Sequence, residues 1–186
     1  MSMKLETERL IMRPLTMDDL DDVAAMNNDA RVMEFFPTTL TREESAGFIK
    51  KLMAHQKAHG FSLCALHLKQ GNAFCGFTGL LKAEFDAPFT PAVEIGLRFA
   101  HAAWGKGLGP EAARACLAFG FDTLGLSEIV SFTAAQNFRS VRVMEKIGMR
   151  RDTQGDFDHP NLAPGHRLRR HVLYRLRRDE WSVSTQ

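Results

Sequence analysis

The stretch that most constrains this chain is Trp104-Gly105-Lys106-Gly107-Leu108-Gly109-Pro110-Glu111, which runs directly into Ala112, Ala113 and Ala115. Glycines at alternate positions leave backbone N–H groups unshielded, because no Cβ blocks close approach. Pro110 stands where a helix is expected to begin, a position at which its missing N–H costs nothing. The spacing predicts a loop feeding a helix N-terminus, where converging amides and the positive end of the dipole attract an anion. A phosphate or pyrophosphate is the expected ligand. The same glycines also suit a simple tight turn, so the flanking sequence has to decide between the two.

Two familiar phosphate loops can be tested against these residues. A P-loop requires Ser or Thr directly after Gly-Lys; here Gly107 follows Lys106, and Ala100 stands where the first glycine belongs. The dinucleotide fingerprint is matched literally by Gly107-x-Gly109-x-x-Ala112, with Glu128 downstream at a suitable distance. That fingerprint belongs in the turn after the first strand of a βαβ unit. In this chain helices and a hairpin come first, and a longer connection separates the preceding strand, near Ala92 to Phe99, from the loop.

A chain of 186 residues with 45% apolar and 25% charged residues is expected to form one soluble globular domain spanning 1–186. No apolar run approaches a membrane span. Met1-Ser2-Met3-Lys4-Leu5-Glu6 carries an acid where a secretion signal has an apolar stretch. Cys64, Cys75 and Cys116 lack metal-type spacing and lie in apolar surroundings, as expected of small core residues in a reducing compartment, so the cytoplasm is the expected location. The arginines crowding the C-terminal fifth are interspersed with Asp152, Asp156, Asp158, Asp179 and Glu180. That mixture reads as a solvated strand face and not as a nucleic-acid surface.

Periodicity gives the order of elements. Leu5 to Arg13 reads as an opening strand. Thr16-Met17-Asp18-Asp19 and Thr41-Arg42-Glu43-Glu44 resemble capping boxes, the first opening a short helix through Met26 and the second a longer one ended by Gly60. Phe61 to Lys69 and Asn72 to Lys82 flank Gln70-Gly71 as a hairpin. Ala92 to Phe99 is a fourth strand, Glu111 to Asp122 the helix after the loop, Glu128 to Ala134 a buried strand and Arg139 to Lys146 a short helix. Met149 to Asp156 and Arg169 to Leu176 complete the strands. Strands and helices alternate without strict βαβ repetition, which predicts an α/β (α+β) mixed sheet with helices on both faces.

Three further segments stand in order around the glycine loop: Thr7-Glu8-Arg9-Leu10-Ile11-Met12-Arg13-Pro14, Val93-Glu94-Ile95-Gly96-Leu97-Arg98-Phe99, and Asn137 through Met149. Together they resemble the GNAT superfamily of N-acetyltransferases, most closely its ribosomal-protein N-terminal acetyltransferase branch. The resemblance runs from about Leu5 to Trp181; it is specific for fold and cofactor and silent on the acceptor. It implies a mostly antiparallel sheet of about seven strands, splayed between the fourth and fifth. It further implies acetyl-CoA as cofactor, with the pantetheine arm along Leu97 and Phe99 and the pyrophosphate on Gly105, Lys106, Gly107, Leu108 and Gly109. Trp104 occupies a position where many relatives carry Gln or Arg. Asn137 would hold a pantetheine amide or the strand end, or else simply cap a helix. Ser140, in the Asn-x-x-Ser position, would face the coenzyme sulfur; its structural alternative is also a helix cap. Many other members place a tyrosine four residues later, where this chain has Met144, and Tyr174 reads as core.

Acetyl transfer to an amine requires the amine to lose a proton, a donor for the oxyanion, and help for the departing thiolate. Glu94 is the first candidate base, because burial in an apolar strand raises a carboxyl pKa toward neutrality; the structural alternative is a carboxylate paired with an arginine. His159 is the second candidate, since an imidazole titrates near neutrality. A backbone N–H near Leu97 would serve the oxyanion. The expected activity is direct transfer to a protein N-terminus or small-molecule amine by a monomer or homodimer, with no metal. The rival reading is a non-catalytic coenzyme-A-binding sensor, and a nicotinamide-dependent oxidoreductase stands third.

Overall fold

The computed structural model describes residues 3–184. Eight strands form one open sheet in the order β1-β2-β3-β4-β5-β6-β8-β7. They are β1 (Leu5–Glu6), β2 (Leu10–Pro14), β3 (Leu63–Leu68), β4 (Phe74–Ala83), β5 (Ala92–Phe99), β6 (Glu128–Ala134), β7 (Arg150–Asp158) and β8 (Arg170–Arg177). The helices around it are α1 (Leu20–Asn27), α2 (Arg42–His59), α3 (Leu108–Ala118), α4 (Phe138–Lys146) and α5 (Arg178–Ser184). The β1–β2, β2–β3, β3–β4, β6–β8 and β7–β8 pairs are antiparallel, whereas β5 meets β6 in parallel through one register pair, Glu94↔Val130. A fully paired parallel ladder of strands this long would have several such positions.

The chain folds into two compact units. The first comprises residues up to Leu81 together with Gly96–Cys116; the second comprises Lys82–Ile95 and the chain from Leu117 onward. In the first, α2 forms where its ends are chemically marked. Thr41 Oγ1 accepts from the Glu44 amide at 3.2 Å, Glu44 Oε2 accepts from the Thr41 amide at 2.7 Å, and Gly60 closes the helix at φ 80°. These bonds satisfy helix-end donors that otherwise have no partner. The apolar stripe of α2 places Ile49 and Leu52 against Val23 and Met26 of α1 and Leu63, Ala65 and Phe77 of the sheet. The second unit packs Phe121 on Trp181, with ring centroids 5.9 Å apart, and buries Ile129, Leu173 and Leu176 of β6 and β8.

Three expectations are corrected. The opening strand is two strands: Thr7 breaks it, its amide donating to the Leu10 carbonyl and its Oγ1 accepting from the Leu10 amide, both at 3.0 Å. The helix after the glycine loop begins at Leu108 and not at Glu111, so Pro110 is its third residue. Proline is tolerated there because the first four amides of a helix have no intrahelical acceptor in any case. A closing helix, α5, follows β8 and carries Trp181 into the core. No helix among the described residues is long and apolar enough to cross a membrane.

Candidate active site

In the first unit, the loop leaves β5 and turns into α3 through two left-handed residues, Gly105 at φ 72° and Gly107 at φ 74°. A Cβ at Gly105 would meet nothing within 4 Å, so the backbone conformation and not space demands glycine there. The loop is braced from behind. Arg9 Nη1 donates to the Lys106 carbonyl at 2.9 Å, and Arg9 Nε and Nη2 hold Glu111 Oε2 at 2.7 and 2.6 Å. Glu111 also accepts from Thr7 Oγ1 at 2.5 Å and from the Arg9 amide at 2.9 Å. Burial pushes the Glu111 carboxyl up, but these bonds outweigh it and hold the group below its ordinary range. The acid in the first turn of α3 is therefore neutralised by Arg9, and the helix N-terminus keeps its attraction for an anion. Nothing local in the sequence gives Arg9 this task, because both of its partners lie about a hundred residues away. Its position in the Thr7–Pro14 segment was the available signal.

The remaining loop candidates divide by what their polar groups do. Trp104 donates its indole N–H to the Phe99 carbonyl at 2.9 Å, which ties the loop to the end of β5. Phe99 and Leu108 are buried, at 7% and 2% exposure, and Leu97 is half-buried. Lys106 is exposed, and its ammonium enters no ion pair among the described residues. Two left-handed glycines, the unpaired first-turn amides of a helix and a free ammonium fit a pyrophosphate.

In the second unit, Glu94 lies on β5 opposite Val130. It has no hydrogen-bond or ion-pair partner among the described residues. The residue is half-buried, and burial pushes its carboxylic acid up to about 7. The arginine-paired alternative is not what the structure holds. One residue on, the Ile95 carbonyl accepts from Ser131 Oγ at 3.0 Å.

Asn137 caps α4: its Oδ1 accepts from the Ser140 amide at 3.2 Å, and its Nδ2 donates to Thr133 Oγ1 at 3.0 Å. Half of its hydrogen-bonding capacity is thereby spent on the helix start and the end of β6. Ser140 is not a cap. It sits three residues inside the cap, half-buried, and its hydroxyl has no partner among the described residues. Met144 is buried, and Tyr174, buried as expected, donates to Glu145 Oε1 at 3.3 Å.

His159 packs among Phe85, Phe157 and His171, its ring 4.8 Å from Phe85 and 5.0 Å from His171. Burial, then the neighbouring His171, lowers its pKa, so the ring is neutral at neutral pH. Its Nδ1 accepts from the Asn161 amide at 3.3 Å, which assigns the ring proton to Nε2. That contact engages Nδ1 as an acceptor.

A mixed, open sheet carries a glycine loop at one helix start and an unpaired carboxyl on a middle strand. The acetyltransferase (GNAT) domain matches residues 9–150, and the chain belongs to this family. It is 31% identical over 149 residues to the uncharacterised protein YkkB of Bacillus subtilis, spanning 78% of this chain and 84% of that one. It is 28% identical over 181 residues to the uncharacterised N-acetyltransferase YnaD of the same organism, spanning 97% and 100%. The fold matches the crystal structure of a GNAT-family acetyltransferase from Bacillus anthracis with a TM-score of 0.79 and 28% identity, covering 95% of this chain and 99% of that one.

Proposed function

We propose that this chain is a single-domain, acetyl-CoA-dependent N-acetyltransferase that transfers an acetyl group to a primary amine by direct attack, with Glu94 as general base. The observation that carries the reading is the unpaired Glu94 carboxyl, held at about 7 by burial. At neutral pH it exists in comparable amounts as acid and base, as a proton acceptor for an ammonium substrate needs. Burial keeps the His159 ring neutral at that pH, but its Nδ1 already accepts from the Asn161 amide.

Acetyl-CoA supplies an activated thioester carbonyl. Gly105, Gly107 and the first amides of α3, from Leu108 and Gly109, hold its pyrophosphate, with Lys106 as the second contact and Trp104 holding the loop's shape. The backbone of Leu97 and Phe99 runs beside the pantetheine, and Asn137 fastens the end of β6. Glu94 takes the amine proton directly or through one water, the Leu97 amide donates to the oxygen that gains charge, and the Ser140 hydroxyl donates to the departing sulfur. The Asn137-x-x-Ser140 spacing and Trp104 support membership of the ribosomal-protein branch. The acceptor is then a protein N-terminus or a small amine, met in the cytoplasm by a monomer or homodimer.

Thiol release from acetyl-CoA with a panel of amines, alongside melting temperature, tests the reading. Acetyl-CoA should raise the melting temperature of the wild type, and Gly107→Asp should abolish the rise while the protein stays folded, because the carboxylate opposes the pyrophosphate. Cofactor stabilisation that survives in Gly107→Asp overturns the loop assignment. Saturable binding with no turnover of any amine identifies a sensor instead.

A further inference from the structure

Arg98 follows Glu94 by four residues on β5, and strand alternation puts both on one face of that strand. Its surroundings, all in the first unit, are unusual for a guanidinium. The ring of Phe36 lies 4.0 Å from the Arg98 Cζ, with Phe77 at 5.2 Å and Phe48 at 5.7 Å. Nη1 donates to Asn27 Oδ1 at 2.6 Å. Asn27 is itself fully buried and donates to Ser45 Oγ at 3.1 Å. No carboxylate among the described residues pairs with Arg98, and its Nε is buried with no hydrogen-bond partner. Nη2 has no partner either, yet it is not among the buried orphan atoms, so it is open to solvent.

Two partly exposed arginines elsewhere in the chain are handled differently. Arg13 holds Asp19, and Arg175 holds both Asp152 and Glu128. A buried donor left unpaired is costly, and a cation sunk among aromatic rings without an anion is more so. The arrangement is explained if the missing partner arrives with a ligand. Nε and Nη2 form the edge of the guanidinium whose two N–H bonds run parallel and match the two oxygens of a carboxylate. Nη1, on the other edge, is the nitrogen already committed to Asn27. The rings hold the guanidinium plane in place, so little rotamer freedom is left to lose when an anion docks.

We propose that Arg98 is the receptor for a carboxylate on the acceptor, so that the enzyme selects amines that are also acids. This rests on the acetyltransferase reading above. Two sources share the chemistry: the α-carboxylate of a free amino acid, and an acidic residue close behind the N-terminal amine of a peptide.

The test compares kcat/KM for acceptors matched except for the acid: phenylalanine against phenethylamine for the first source, and Ala-Glu amide against Ala-Gln amide for the second. The acid member of one pair should be preferred by about tenfold to a hundredfold, the scale of a charge-assisted pair of hydrogen bonds. Arg98→Met should bring that ratio close to one, acting mainly through KM. Arg98→Lys, which keeps the charge and loses the fork, should retain only part of the preference. Equal kcat/KM within both pairs in the wild type overturns the proposal, and that measurement needs no variant to fold.

If no amine is turned over, the acetyltransferase reading fails separately, and thermal shift with glutarate then decides the Arg98 proposal. Saturable stabilisation present in wild type and absent in Arg98→Met supports the receptor. No stabilisation, or the same stabilisation in both, refutes it.

Discussion

Asp19 and Glu94 are both carboxylates withdrawn from water, and the protein treats them in opposite ways. Asp19 is 2% exposed, yet it accepts from Arg13 Nη1 and Nη2 at 2.8 and 2.6 Å and from the Thr16 amide at 2.8 Å. Burial pushes its carboxyl up, but the bonds from Arg13 and Thr16 win and hold it below the ordinary range. Glu94 keeps more of its surface accessible and has no donor at all, so burial acts alone and takes it to about 7. Withdrawal from solvent therefore does not determine ionisation. The supply of donors does, and the contrast separates a carboxylate that stabilises a fold from one poised to exchange a proton.

The comparison predicts different failures at the two sites. Glu94→Gln should lower turnover by about a hundredfold or more with acetyl-CoA affinity nearly unchanged, because the amide cannot accept the proton. In the wild type the rate should climb as pH rises through about 7, where Glu94 loses its proton, and in Glu94→Gln this acid limb should flatten. A retained acid limb would break the assignment and return attention to other bases. Stability should move the other way. A carboxyl whose folded pKa is raised carries no penalty below its unfolded value and the full penalty above about 7. Melting curves should therefore show Glu94→Gln gaining on the wild type between pH 5 and pH 8.

Asp19→Asn should do the reverse: turnover per folded molecule and the pH–rate profile stay as they are, and stability falls by about 2 kcal/mol. That figure is discounted from a fully buried pair because Arg13 is partly exposed. A group with a lowered folded pKa stabilises above its unfolded value and loses that contribution as pH falls through the folded one. Denaturant titrations should thus show the gap between wild type and Asp19→Asn narrowing in acid. An altered pH–rate profile in this variant would blur the distinction between the two sites. The smallest effect is expected at Ser140. Because Asn137 is the cap, Ser140→Ala should leave the melting temperature almost untouched and lower turnover on the order of tenfold without changing the Michaelis constant for acetyl-CoA. Normal turnover would remove Ser140 from the thiolate.

What could be read in the chain follows from how local the cause is. Both ends of α2 were legible because Thr41, Glu44 and Gly60 act within a few residues of one another, and β5 and β6 were legible because Ala92–Phe99 and Glu128–Ala134 are continuous β-type runs between breakers. The break between β1 and β2 was not, since the Thr7 hydroxyl that shapes it is anchored to Glu111, more than a hundred residues away. The start of α3 was placed late because Pro110 resembles a first residue, while the left-handed turn that begins the helix belongs to Gly107. Glu94 could be singled out as an acid in an apolar strand. Arg98, two residues from Gly96 on the same strand, could not, because an arginine in a strand ordinarily reads as solvated.

The sequence by itself determined the order of the elements, the glycine loop with its helix, and the short set of groups able to move a proton, because these depend on φ preference, capping and side-chain chemistry over a few residues. Only the tertiary structure decided which of those groups are free to act. It spent the Asn137 amide and the Trp104 indole on the protein itself, gave His159 an amide donor and Arg13 a carboxylate, and left Glu94, Ser140 and Arg98 with unmet bonding capacity. Pairing of polar groups is set by which distant segments come within about 3 Å of one another, and that is a property of the folded chain and not of any window along it.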